Sequence, residues 1–440
     1  MLRVHVVRGS GVGYYLRDLV PGRAEETLVA GESPGRWTGR GSEALGLVGT
    51  VDGPAFTEVL AGRDPTDGRG LRQSRGDRPV SGFDLAFCAP KSVSVLHLLA
   101  PSELGAATGE SHRSAVGDAL AYVERHGLGV RRVRSGAVHH LTTTGAVAAG
   151  FVHRTSRALD PHLHTHVVVA NVVEGIDGSW SSLDSRRLFL HRRATEAVYR
   201  ASLRHHLTEA AGVAWYRGAS GGWEVDGVDP VLCRVFSQRT ASIDEHARWV
   251  GAATTPGARR VAFHADRPDK ERGRTVDGLR SDWRRRADDA GVAVSDLVRV
   301  VGHARALPGR PPVDPEALES RLGQLVATRT RVSSRDLVAA VADAAPAGLA
   351  VAEAERRAAV LGFDLPPLAR RVPGVATDAW EPSVVLNALR DRPGVIACAE
   401  DGRASVRSVA DGRSGRTPQL RPDRSTAFGQ RTIDVAGPRR

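Results

Sequence analysis

Lysine is nearly missing from this 440-residue chain. It occurs only at Lys91 and Lys270, although Lys and Arg together number 61 against 50 Asp and Glu. Positive charge is therefore carried almost entirely by Arg, and the net charge of +11 points to a polyanionic partner. A GC-rich coding bias produces the same skew, yet guanidinium groups grip phosphate in bidentate fashion where Lys offers only a point charge. Cysteine is scarce as well. Cys88, Cys233 and Cys398 stand far apart and are odd in number, which excludes a disulfide framework and a cysteine zinc site and fits a reducing, cytoplasmic setting. No apolar run approaches the ~18 residues needed to span a bilayer. The opening "MLRVHVVRGSGVGYY" has no apolar core of a signal peptide. The G-x-x-x-x-G-K-[ST] phosphate loop is absent, which excludes P-loop ATPase and helicase activity for this chain.

What is present reads as two to four domains, at roughly 100–200 residues each. Residues 2–8 alternate as a strand, and 55–61 fit one short helix. Residues 62–79 are Gly/Arg/Asp-rich and read as a surface loop. "SGFDLAFCAP" (81–90) reads as a strand stopped by Pro90. Helices follow over "KSVSVLHLLA" and from about 103 to 126. Residues 128–141 and 144–154 read as two strands paired with each other. A Val-rich strand then covers about 163–173, with a hairpin turn in "EGIDGSW". Helical pattern returns over 191–211, 230–250 and 279–291, with a short strand in "GWEVDGV" and a basic loop over 252–275. After the Pro-rich stretch 307–315, residues 315–362 hold two or three amphipathic helices, with Ser333–Ser334 as a cap. From about 405 the chain is Gly/Pro/Arg/Ser-rich, the composition of a disordered tail.

The most informative stretch is "ALDPHLHTHVVVANVV" (158–173), with histidine at 162, 164 and 166. A strand has period two, so the three rings share one face. Imidazoles from one strand, or two of them with one from a neighbour, can converge on a metal ion. An exposed polar edge strand would also fit. His153 lies on the preceding strand and reaches the same place if the two strands pair. Asp84 stands between aromatic residues in "GFDLAF", where an acid is costly to bury unless paired. It can hold a ligand histidine in one tautomer, act as a base, or simply bond the backbone. Tyr14–Tyr15 is an adjacent pair in a chain with five tyrosines. It can serve core packing, or supply a nucleophile beside a metal-polarised phosphodiester.

These pieces, in order, resemble one known family. "GVGYYLRD" (11–18), "RWTGRGSEALGL" (36–47), "GFDLAFCAPKSVSVL" (82–96), "HRTSRALDPHLHTHVVVANVV" (153–173), "GSWSSLDSRRLF" (178–189) and "WEVDGV" (223–228) look like the MobF-class conjugative relaxases. These are the TrwC/TraI-like nickases of the HUH endonuclease superfamily. The resemblance covers about residues 1–290 and continues weakly to about 365. It implies an α+β fold with a central antiparallel sheet flanked by helices. The implied organisation is a relaxase domain over 1–295, a small helical region over 315–400 like the lead-in to an absent helicase, and a basic tail over 405–440.

The resemblance also implies roles. His153, His164 and His166 match the metal triad, while His162 falls where the family varies. Asp84 matches the acid that assists the tyrosine and orients a metal histidine. Tyr14 matches the leading nucleophile and Tyr15 its companion. Lys91, Arg154 and Arg157 sit in matched motifs and are expected on DNA phosphates. The second tyrosine pair common in the family is replaced here by Thr27–Leu28. The implied activity is strand-specific nicking and rejoining at a plasmid transfer origin through a 5′-phosphotyrosine. Alternatives are a rolling-circle replication initiator with the same chemistry, or an origin-binding protein that no longer nicks. The implied cofactor is a divalent ion, Mg²⁺ or Mn²⁺ in use, although imidazoles hold Zn²⁺ or Ni²⁺ more tightly. The implied partners are single-stranded DNA and an origin hairpin, with a coupling ATPase and accessory origin-binding proteins beside them. No membrane is involved, and the expected state is a monomer.

Overall fold

The computed structural model describes residues 2–9, 29–30, 34–73, 79–219, 221–239, 241–242, 274–306, 311–329, 332–363 and 379–380. Tyr14–Tyr15, Thr27–Leu28, most of the loop at 252–275 and the expected tail lie outside them. All described residues belong to one compact unit, Met1–Gly402.

Five strands build the central sheet: β1 (Leu2–Arg8), β2 (Arg36–Thr38), β3 (Val80–Cys88), β4 (Ala148–Thr155) and β5 (Pro161–Ala170). Their spatial order is β1-β3-β5-β4-β2, and every neighbouring pair is antiparallel. The alternation in β5 explains its two faces. Leu163, Val167 and Val169 are buried under the helices, together with Phe83, Leu85 and Phe87 of β3. The opposite face of β5 carries His162, His164 and His166 and then changes to Val168 and Ala170. Those last two pack into a separate apolar cluster with Phe151 and with Phe56, Val59 and Leu60 of helix α1 (Gly53–Ala61). One face is thus largely apolar, with Thr165 as a buried polar residue in it, and the other is apolar at one end and imidazole-lined at the other.

The helical layer consists of α2 (Lys91–Leu99), α3 (Ser102–Tyr122) and α4 (Ser185–Ala211). The helix expected to reach 126 loses α geometry after Tyr122 and widens into a π turn, Val123–Gly127. There the buried Glu124 carboxylate accepts from Arg40 N at 2.8 Å, Arg40 Nε at 3.0 Å and Ala146 N at 2.9 Å. A buried chain crosses from this layer into the sheet. His112 Nδ1 meets Tyr199 Oη at 2.9 Å, and its Nε2 meets Thr165 Oγ1 at 2.8 Å. Burial pushes the His112 pKa down to about 3, so the ring is neutral and offers one donor and one acceptor. Thr165→Val therefore leaves one buried ring nitrogen unpartnered. The expected loss is about 1–3 kcal/mol in unfolding free energy, read by urea denaturation.

One expectation fails. Residues 130–141 do not pair with 144–154; they form a hairpin of their own, Val130–Arg134 with Ala137–Leu141. Ser135 and Gly136 both adopt positive φ, 51° and 76°, which closes a two-residue turn matched to the strand twist. The 148–155 strand is left free to join the sheet between β2 and β5. Of the helix expected over 230–250, Pro230–Val235 is helical, and 243–250 lie outside the described residues.

Helix α5 (Val276–Asp289) packs on the main core through Leu279, Trp283 and Ala287. Beyond it, α6 (Pro315–Thr328), α7 (Ser334–Ala344) and α8 (Val351–Phe363) form a second core with Tyr122 and with Ala194, Ala197, Val198 and Ala201 of α4. Ser333 and Asp336 make the expected cap as a reciprocal capping box. Buried Arg204 of α4 caps the other end of α7, donating to the Ala342 and Ala345 carbonyls. No helix among the described residues is long and apolar enough to cross a membrane.

Candidate active site

Two backbone registers assemble the polar end of the sheet. On one side of β5, His153 of β4 lies directly opposite His164. On the other side, β3 places Ala86 opposite His166, Cys88 opposite His164 and Asp84 opposite Val168. Directly opposed residues share a face, so His153, Asp84 and the β5 histidines all stand on it.

The three rings at 153, 164 and 166 form a nearly equilateral triangle. Their centroids are 5.2 Å apart for His153–His164, 5.5 Å for His153–His166 and 5.3 Å for His164–His166. Three imidazoles on one ion, with nitrogens at ~2.1 Å, would have centroids roughly 5 Å apart. The triangle has that size, but the rings are not yet turned to a common point. His153 and His164 lie near-parallel, at 26°, and among the described residues no three His, Cys, Asp or Glu groups enclose an ion as they stand.

Two of the β5 rings have one nitrogen already committed. His166 Nδ1 is 2.9 Å from both oxygens of Asp84, whose carboxylate is buried. His164 Nδ1 is 2.8 Å from the His162 carbonyl, which can only accept, so that nitrogen carries the proton. In both rings Nε2 is left for other chemistry. Burial holds the His164 pKa well below its usual value and brings that of His162 down to about 3. Both are neutral at pH 7, the form that ligates metal. His162 stacks on His164 at 4.6 Å and fixes it through the main chain.

The three basic residues singled out from the sequence fall in different places. Lys91 is turned inward, its ammonium donating to the Pro161 carbonyl at 2.7 Å, and burial lowers its pKa. Arg154 follows His153 on β4 and is half-buried. Arg157 is half-buried in the turn between β4 and β5. Sequence reasoning missed Asp160, which is buried beneath that turn, although it stands in the quoted "DPHLHTH" motif.

The antiparallel sheet thus carries its layer of long helices on one face and, on the other, an acid-tethered imidazole triangle beside the cluster that packs on α1. Residues 7–290 match the TrwC relaxase family, and the chain belongs to it. Among its relatives is the multifunctional conjugation protein TraI of Escherichia coli, 36% identical over 258 residues. That alignment takes in 56% of this chain and 14% of TraI. TraI of E. coli strain K12 is 35% identical over 284 residues, 62% of this chain and 15% of that protein. The chain thus spans about one seventh of the length of these relatives. Solved structures of the conjugative relaxase TrwC with OriT DNA superpose well. The metal-free complex has a TM-score of 0.58 at 30% identity, and the copper-bound complex 0.59 at 30%. A complex with a 27-mer containing the recognition hairpin and the cleavage site gives 0.58 at 29%. Each covers 67% of this chain and 100% of the solved one.

Proposed function

We propose that this chain nicks and rejoins one DNA strand at a transfer origin and so starts conjugative transfer. The observation that carries this is the triangle of His153, His164 and His166 with Asp84 bonded to His166. Solved TrwC relatives hold OriT DNA and, in some crystals, metal.

The donor set fits a divalent ion: His164 and His166 each have Nδ1 committed and Nε2 available, and the His153 ring stands beside them. Such an ion, held by His153, His164 and His166, would draw charge from the non-bridging oxygens of the scissile phosphate. Mg²⁺ or Mn²⁺ is the ion proposed for turnover. Asp84 keeps the His166 ring in one tautomer and one orientation. Tyr14 attacks phosphorus through its Oη, the tyrosyl–phosphate bond replaces the phosphodiester, and the strand leaves with a free 3′-OH. Tyr15 is the neighbouring hydroxyl. Because one phosphoester replaces another, the reverse attack by the 3′-OH restores the strand with no nucleotide consumed. Arg154 and Arg157 are the proposed phosphate contacts near the site. Lys91 contributes through the turn it holds.

The ribbon Val130–Arg134/Ala137–Leu141 is the proposed contact with duplex DNA of an origin hairpin. It projects Val133 (74% exposed) opposite Val138 (57%), flanked by Arg131, Arg132 and Arg134. Asp177 and Asp184 pair with these arginines and brace the ribbon. A two-stranded ribbon has the width that the major groove admits. A coupling ATPase and accessory origin-binding proteins complete the proposed set of partners, and the cytoplasm the proposed setting.

The test is a supercoiled plasmid carrying the cognate origin. Relaxed circles and a covalent protein–DNA adduct are expected with Mn²⁺ or Mg²⁺ and without ATP. Binding without cleavage would make the chain an origin-binding protein, and ATP-driven unwinding by the chain alone would refute the nucleotide-free reading.

A further inference from the structure

The register that brings His153 opposite His164 is not the register of the turn that precedes it. Next to the turn, Thr155 pairs with Pro161. Continued without interruption, that pairing would set His153 against Leu163, whose side chain is buried on the helical face. A bulge between His153 and Thr155 shifts the pairing by one residue and sets His153 against His164 instead. A one-residue slip moves side chains to the other face of a sheet, so the imidazole triangle depends on where this turn is held.

The turn is held from outside the sheet. Asp160 is 1% exposed. Its Oδ1 accepts from Arg286 Nη2 at 2.8 Å, and its Oδ2 accepts from Gln238 N at 2.9 Å. Its main-chain oxygen accepts from Ser156 N at 2.9 Å, and its N donates to Ser156 Oγ at 3.2 Å. Arg286 also donates to the Val235 carbonyl at 2.7 Å and lies over the Phe236 ring, 4.9 Å from its centroid. One turn of α5 earlier, Trp283 Nε1 donates to the Leu159 carbonyl at 2.8 Å. Leu159 adopts a φ of +55°, a left-handed conformation that a branched residue keeps only when its surroundings impose it. From the other side Lys91 grips the Pro161 carbonyl. A buried carboxylate–guanidinium pair gains little net stability over apolar packing, so its value lies in the geometry it enforces.

We propose that Asp160, through its bridge to Arg286, is a positioning residue that sets the turn, and with it the facing of His153 and His164. Helix α5 thereby becomes part of the metal-site machinery. The inference rests on the metal-binding reading of the three histidines. It is tested on the full chain by titrating Mn²⁺ calorimetrically into the wild type, His164→Ala, Asp160→Asn and Arg286→Lys, each with a thermal melt. Asp160→Asn keeps the shape and the acceptor for Gln238 but removes the charge facing Arg286. Arg286→Lys keeps the charge but is one atom shorter and loses the planar group over Phe236, and it serves where Asp160→Asn does not fold.

The expected result is one Mn²⁺ per wild-type chain, lost in His164→Ala. In folded Asp160→Asn or Arg286→Lys, Mn²⁺ binding should be at least tenfold weaker, and raising Mn²⁺ should restore cleavage. A lowered melting temperature with wild-type Mn²⁺ affinity would make Asp160 a structural residue only and overturn the proposal. A wild type that binds no Mn²⁺ would instead overturn the metal reading itself, and the inference with it.

Discussion

Tyr14→Phe abolishes the covalent protein–DNA adduct and leaves origin binding and folding unchanged: that is the first expected result. The substitution removes one oxygen from a residue whose phenol ordinarily titrates near pH ~10. Such a group attacks phosphorus only when the phosphodiester is polarised and the hydroxyl is held in line with the leaving oxygen. Loss of a covalent nucleophile costs on the order of 10³-fold or more in rate, because the attacking oxygen itself is gone. Tyr15 cannot substitute by default. Adjacent side chains on a helix diverge by ~100°, and on a strand they point to opposite faces. The resemblance sets Thr27–Leu28 where a second tyrosine pair would stand, so no later tyrosine is expected to rescue the variant. Mass spectrometry of the proteolysed adduct reads the answer directly. A phosphotyrosine mapped to Tyr15, or normal adduct from Tyr14→Phe, would move the nucleophile.

The second large effect is expected at the imidazoles, and it separates three histidines that look equivalent in the sequence. His164→Ala or His166→Ala should weaken divalent-ion binding by about two orders of magnitude or more and abolish ion-dependent cleavage. Loss of an outer partner of a ligand already costs ~10–100-fold, and a ligand should cost more. His162→Ala should do much less. What His162 gives His164 is a main-chain carbonyl, which Ala keeps, together with a stacking contact at 4.6 Å, which Ala loses. Calorimetric titration of the three variants with Mn²⁺ decides the matter. Equal loss at His162 would mean that the triangle has been drawn through the wrong rings.

Much of the site was legible because strand alternation is a local property. The period-two spacing of His162, His164 and His166 put them on one face whatever the strand's neighbours, and the β-branched run after them made the strand. Asp84 could be singled out because an acid between Phe83 and Leu85 needs a partner. The hairpin at 130–141 leaves little local trace because its turn is Ser135–Gly136, without the Asn-Gly or Asp-Gly signature. The longer "TTTG" stretch at 142–145 is the stronger local break.

By itself, the sequence determined the chemistry of this protein: which residue types are available, which share a strand face, and which family they resemble. Those are matters of composition and short-range period, and neither needs a fold. Tertiary structure alone decided which histidine faces which and which nitrogen is left to bind. The His153–His164 pairing depends on a one-residue bulge, and Asp84 reaches His166 across a strand boundary. Asp160 meets Arg286 over 126 residues of chain. Contacts at such separation leave no periodic trace in the sequence, because their register is set by turns and by the packing of helices that lie far away along the chain.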